Sequence, residues 1–171
     1  GQAFERTTLL YFPFDEESGN SAFDQVGQAE ASANNFSPQW QSGIVNNSIY
    51  FSGKPDNSYL KLSGFDQQFL NNQSFSVSLW FKSPGTKPDS YLFHKGMHDN
   101  TNGGSGKWIG IQYKNSTLTF GIDDNSKKTT VDLGGASKWF DNNWHFLTCV
   151  RDKESGKLLV YVDGLPEGEA N

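Results

Sequence analysis

The stretch Ser74–Lys82, SFSVSLWFK, alternates with period two. Phe75, Val77, Leu79 and Phe81 fall on one side, and Ser74, Ser76, Ser78, Trp80 and Lys82 on the other. That period is the signature of a strand with one buried face. The four apolar residues are assigned to a core and Trp80 to a partly covered opposite face. Trp144–Arg151 and Lys157–Asp163 are two further runs rich in aromatic and β-branched residues, separated by Asp152-Lys153-Glu154-Ser155-Gly156. A polar segment ending in Gly between such runs predicts a hairpin. In its second arm Leu158, Val160 and Val162 alternate with Leu159, Tyr161 and Asp163. An arm largely apolar on both sides belongs inside a sandwich, with other strands flanking it.

The same reading covers the rest of the chain. Thr7–Phe14 is expected to be a strand that Pro13 confines to an edge or ends. Asp15–Asn20 and Phe23–Gly27 read as polar turns, Ala29–Ala33 as a short strand, and Phe36–Gly43 as a loop anchored inward by Trp40. Ser48–Ser52 and Ser58–Ser63 are strands around the turn Gly53–Asn57, and Phe65–Asn71 is a short helix or 3-10 turn. Tyr91–His94, Trp108–Tyr113, Thr117–Ile122 and Thr129–Leu133 follow, with a glycine-rich loop at Gly96–Gly106. Short strands at near-regular spacing, with no long amphipathic helix, predict an all-β fold: a two-sheet antiparallel β-sandwich in one domain, residues 1–171.

Composition narrows the function. A net charge of −5 with scattered basic residues argues against nucleic acid and anionic membrane as partners. No apolar run approaches the ~20 residues of a membrane span. The one cysteine, Cys149, excludes a disulfide within the chain and points to a bacterial source; it reads as a small buried hydrophobe.

Four segments, in order, carry a family resemblance. Leu10–Gly19 (LYFPFDEESG) followed by Asp24 and Gly27 resembles an opening strand, acidic turn and "D..G" element. Ile49–Gly53 with Tyr59-Leu60, Phe75–Lys82, and Trp144-His145-Phe146 through Tyr161-Val162-Asp163-Gly164 resemble the "F-x-G…Y-L", "F-T-[IV]-S-x-W-[FV]-K" and "W-H…Y-V-D-G" elements. Together they resemble the concanavalin A-like jelly roll in its laminin G-like branch, common in bacterial secreted and surface proteins. The resemblance implies further strands after Y-V-D-G, so the chain is expected to lack its last C-terminal strands. It further implies that the apolar Leu9–Phe14 pairs with a segment outside the chain, with Leu165–Glu169 an exposed exit. It also implies a structural Ca²⁺ site that joins the first acidic turn to a C-terminal acid. Asp15, Glu16 and Gly19 are the candidate calcium residues, supplying hard oxygen ligands.

Sugar recognition needs aromatic faces for the apolar side of a pyranose and amide or carboxylate groups for its hydroxyls. Trp80, Tyr91, Trp108, Tyr113 and Trp139 supply aromatics, and Trp108, beside the flexible loop, is the leading platform. Asp99, Asn100 and Asn102 on that loop, with Tyr113, complete the candidate ligand set. Asp99–Gly104 fails the spacing of an EF-hand. No strand carries the clustered carboxylates of a glycosidase, and no nucleophile motif accompanies the histidines. The expected function is therefore a non-catalytic, lectin-like module that binds glycan or polysaccharide. The resemblance implies a secreted or surface bacterial protein (outer surface or periplasm), in which the module is expected to be an accessory to glycan degradation or adhesion. The competing class is a protein-interaction or adhesion module on the same fold.

Overall fold

The computed structural model describes residues 8–53, 55–65, 73–84, 89–96 and 107–171. The chain divides into two compact units, Gly1–Gln67 and Gln68–Asn171.

In the first unit, β1 (Ser21–Phe23), β2 (Glu30–Asn34) and β5 (Tyr59–Ser63) form an antiparallel sheet in the order β1-β2-β5, while β3 (Gln39–Ser42) and β4 (Asn47–Tyr50) form a hairpin. Among the described residues, the buried hydrophobics of this unit are small: Ala22, Ala29 and Ala31. Residues 8–14 are not a strand, contrary to the apolar pattern. Phe14 turns to φ 60°, and the Tyr11 N–H donates to Asp24 Oδ1 at 2.8 Å instead of to a ladder partner. Conversely, Gln39–Ser42, expected as loop, is a strand. Its Trp40 pairs with Ile49, and the indole N–H donates to the Gly19 carbonyl at 3.2 Å.

The "D..G" element has a simple physical cause. Asp24 is buried and accepts the backbone N–H groups of Tyr11, Val26 (3.0 Å) and Gly27 (2.7 Å). Burial alone would raise its pKa; the backbone donors outweigh that and hold it below the usual carboxylate range. A Cβ at Gly27 would lie 2.9 Å from Asp24 Oδ2, so only glycine lets the carboxylate close on that N–H.

The second unit is a sandwich. One sheet runs β13-β12-β11-β6: Leu165–Ala170, Lys157–Val162, Trp144–Asp152 and Phe75–Lys82. The other runs β10-β9-β8-β7: Lys128–Leu133, Thr117–Asp124, Lys107–Lys114 and Ser90–Gly96. The register is as the alternation requires. Phe81 is buried, Phe75, Val77 and Leu79 pack on the core, and Trp80 stands half exposed against Phe146 at 5.0 Å. Leu147, Cys149, Leu158, Val160 and Val162 meet Ile109, Ile111, Tyr113, Leu118, Phe120, Val131 and Leu133 from the other sheet. Burial pushes the Cys149 thiol up to about 12, which makes it inert.

Leu165–Ala170, expected as an exposed exit, is instead strand β13, paired with β12. As an edge strand it tolerates Pro166. Its Gly168 closes the sandwich, because a Cβ there would stand 2.5 Å from Leu133 and 2.8 Å from Val131. The β12–β13 turn is Asp163-Gly164, with φ 53° and 79° between the paired Val162 and Leu165. Two positive φ values match the right-handed twist of the flanking strands, which is why a hairpin selects Asp-Gly here.

Candidate functional site

The side chains of β8 alternate strictly. Ile109, Ile111 and Tyr113 point into the core, and Trp108, Gly110 and Gln112 point out. Across the sheet the outward rows are aligned: Trp108 opposite Asp123, Gly110 opposite Gly121, and Gln112 opposite Thr119. On β10, Thr130 lies beside Gly121, and Asp132 beside Thr119. On β7 a bulge between Tyr91 and Phe93 lets Tyr91 (opposite Gln112) and His94 (opposite Gly110) both face outward. Bulges re-aim side chains in this way, often beside sites.

The two facing glycines, both buried, make room for aromatic rings in the middle of this outer face. Around the space above Gly110 stand three aromatic edges. A Cβ there would touch His94 at 3.4 Å and Trp108 and Tyr91 at 3.5 Å each. Tyr91 and His94 meet edge-on at 4.8 Å. The Trp108 indole spreads over Gly121, where a Cβ would meet its ring at 2.5 Å. Trp108 is only 9% exposed, whereas Tyr91 is 47% exposed. Trp108 is thus a wall set into the sheet, and Tyr91 offers the open aromatic surface. Beside them lies a polar group: the hydroxyls of Thr119 (2.7 Å) and Thr130 (3.4 Å) both donate to the Asp132 carboxylate.

The expected ligand set is therefore only partly brought together. Trp108 lies on the outer face, but Tyr113 faces the core, buried and stacked on Phe140 at 3.7 Å. It cannot share a platform with Trp108. Asp99, Asn100 and Asn102 lie outside the described residues. Gly110, Gln112, Gly121, Thr130 and Asp132 were not expected; two glycines at the centre of adjacent strands were the available signal.

At the acidic turn, the oxygens are already acceptors of N–H groups. Asp15 Oδ2 receives Asn46 Nδ2 at 3.1 Å and Oδ1 the Asn47 N–H at 3.4 Å, while the Asp15 and Glu16 carbonyls receive Asn47 Nδ2. Glu16 Oε1 accepts the Phe23 N–H at 2.9 Å, and Oε2 is buried with no hydrogen-bond partner. Gly19, at φ 91°, makes the turn. A calcium ion takes six to eight oxygens. Among the described residues no group of three or more His, Cys, Asp or Glu could hold a metal. With these oxygens given to N–H groups, the turn as folded does not offer the set of free oxygens the ion needs.

The "W-H…D-G" element forms a charged clamp. His145 Nδ1 lies 2.7 Å from Asp163 Oδ2, and Nε2 lies 3.1 Å from Asp141 Oδ1. Carboxylates only accept, so both contacts are hydrogen bonds only if the ring carries both protons. Burial lowers the His145 pKa, but the bonds to Asp163 and Asp141 outweigh it and raise it overall. Asp141 is lowered to about 2, first by the Asn143 side chain and backbone and then by His145. Asp163 also accepts the Phe146 N–H at 2.9 Å, so the clamp ties the start of β11 to the β12–β13 turn.

This is an antiparallel β-sandwich of the laminin G-like kind, with an outer face on which aromatic rings pack over a glycine pair. The chain belongs to the concanavalin A-like lectin/glucanases superfamily, whose family model matches residues 52–171. A non-toxic nonhemagglutinin type A from Clostridium botulinum (strain Kyoto / Type A2) is 25% identical over 162 residues, which is 91% of this chain and 12% of that protein. A second, from Clostridium botulinum, is 23% identical over 156 residues, again 91% and 12%. The chain thus spans 12% of the length of these curated relatives. Among solved structures, the Ruminococcus gnavus IT-sialidase CBM40 matches with a TM-score of 0.47 and 14% identity, covering 58% of this chain and 54% of that one.

Proposed function

We propose that this chain is a non-catalytic, lectin-like module that binds glycan on the outer face of the β7–β10 sheet. It would serve a secreted or surface bacterial protein, as an accessory to glycan degradation. The observation that carries the reading is the half-exposed Tyr91 ring standing in register with Gln112, on a face where the glycine pair Gly110 and Gly121 lets Trp108 lie flat against the sheet. β7 and β10 stand three strand spacings, about 14 Å, apart, so an oligosaccharide laid across the strands can put the apolar side of one sugar on Tyr91 beside Gln112 and the hydroxyls of a neighbouring sugar on Thr119, Thr130 and Asp132. Membership of a lectin-containing superfamily supports the class of ligand and leaves the site to geometry. The test is a glycan array probed with the whole chain and with Tyr91→Ala. Retention of glycans by the wild type and their loss from the variant is the expected result. Wild-type protein that retains no glycan refutes the reading.

A second reading, protein docking, rests on the other sheet. There Trp80 stands 49% exposed on the outer face, packed on Phe146, and could anchor a partner. A glycan-silent protein whose partner binding is abolished by Trp80→Ser would establish it instead.

A further inference from the structure

Resting on the glycan reading, we infer that the site selects neutral, hydroxyl-rich sugars and rejects anionic ones, with Asp132 as the residue that decides. The hydrogen-bond directions carry this. The Thr119 hydroxyl donates to Asp132 Oδ1 and the Thr130 hydroxyl points its donor at Asp132 Oδ2. Each hydroxyl has one donor and two lone pairs. With the donors directed at Asp132, both threonines present lone pairs to a ligand. Asp132, itself exposed, presents more. Three neighbouring side chains thus form a cluster of acceptors.

Among the described residues, the lysines on this face do not offset it. Lys114, at one end of β8, is bound to Asp89 at 3.4 Å. Lys128, at the start of β10, sits in register with Asp123, at the end of the face away from Asp132. A sugar hydroxyl is a donor and suits such a cluster. A carboxylate or sulfate has no donor, carries like charge, and would meet lone pairs. Specificity of this kind comes from the repulsion as much as from the attraction.

The experiment is one array that carries neutral, sialylated, sulfated and uronic-acid glycans, probed with the whole chain and with Asp132→Asn. Asp132 is exposed, so the isosteric change is expected to leave thermal unfolding unchanged, and that is checked first. Wild-type retention of neutral glycans only, with affinity reduced about tenfold or more in Asp132→Asn, is the predicted result. Wild-type retention of sialylated, sulfated or uronic glycans overturns the inference and leaves the glycan reading standing. Equal retention of neutral glycans by Asp132→Asn overturns the role of Asp132. No retention of any glycan by the wild type overturns the glycan reading and this inference with it.

Discussion

Adding one methyl at Gly121 tests how the outer face is built. A Cβ there would lie 2.5 Å from Trp108 Cη2, 2.8 Å from Cζ3 and 3.0 Å from Thr130 Cγ2. Carbon atoms settle at about 3.5–4.0 Å, so the overlap is close to 1 Å on a rigid ring. The indole is nearly buried and has little room to move. Overpacking of this kind costs about 1–3 kcal/mol. The backbone of Gly121 is not in the left-handed region, so Ala brings no dihedral strain. It should even contribute about 0.4–1 kcal/mol by stiffening the unfolded chain. Gly121→Ala is therefore expected to destabilise the wild type, yet to be neutral or mildly stabilising in a Trp108→Ala background. The coupling should reach about 1–3 kcal/mol, within the range for residues in contact. Urea unfolding followed by circular dichroism reads it as a change of midpoint at constant slope. If Gly121→Ala costs the same in both backgrounds, Trp108 does not lie over Gly121 and the face is built differently.

Other parts of the molecule give further expectations. Phe81→Ala should cost about 3–5 kcal/mol and the half-buried Phe75→Ala less; equal costs in chemical denaturation would contradict the depth ordering along β6. The His145 clamp gives a pH dependence whose sign is fixed. Its pKa is raised on folding, so its stabilisation is full below the ordinary value of 6.5 and is lost as pH rises through the folded value. The lowered pKa values of Asp141 and Asp163 add a loss at the acid end. The difference in melting temperature between wild type and His145→Ala should thus be largest in mildly acidic buffer and shrink towards alkaline pH; a difference that grows with pH would refute the clamp. Because N–H donors occupy the Asp15 turn, the melting temperature is expected to be the same in Ca²⁺ and in chelator, and a Ca²⁺-dependent rise would show that the ion displaces Asn46 and Asn47.

Period-two alternation carried most of the second unit: the register of β6, β11 and β12, the burial of Cys149 and the half-exposed Trp80 were all legible. The same parity separates Trp108 from Tyr113, which stand five positions apart on one strand, so placing both on one ligand surface conflicted with it. Other errors arose where side chains redirect the backbone. Residues 8–14 have a strand's composition, but Asp24 takes the Tyr11 N–H and Phe14 turns left-handed. Pro166 and Gly168 disguised β13, although an edge position accepts the proline and the approach of Val131 and Leu133 demands the glycine. The outer-face site depends on pairing across three strands and on a bulge at Tyr91. Register of that kind is a tertiary property that one strand's pattern does not contain.

The most direct test is an amide NMR titration of the ¹⁵N-labelled chain with neutral gluco-, galacto- and manno-configured oligosaccharides. Saturable shifts confined to Tyr91, Gly110, Gln112, Thr119, Gly121 and Thr130 are predicted for the configuration that binds. Shifts centred on Ser76, Trp80 and Thr148 of the other sheet, or on the first unit, would contradict glycan binding at this face, and so would no saturable shift with any of them.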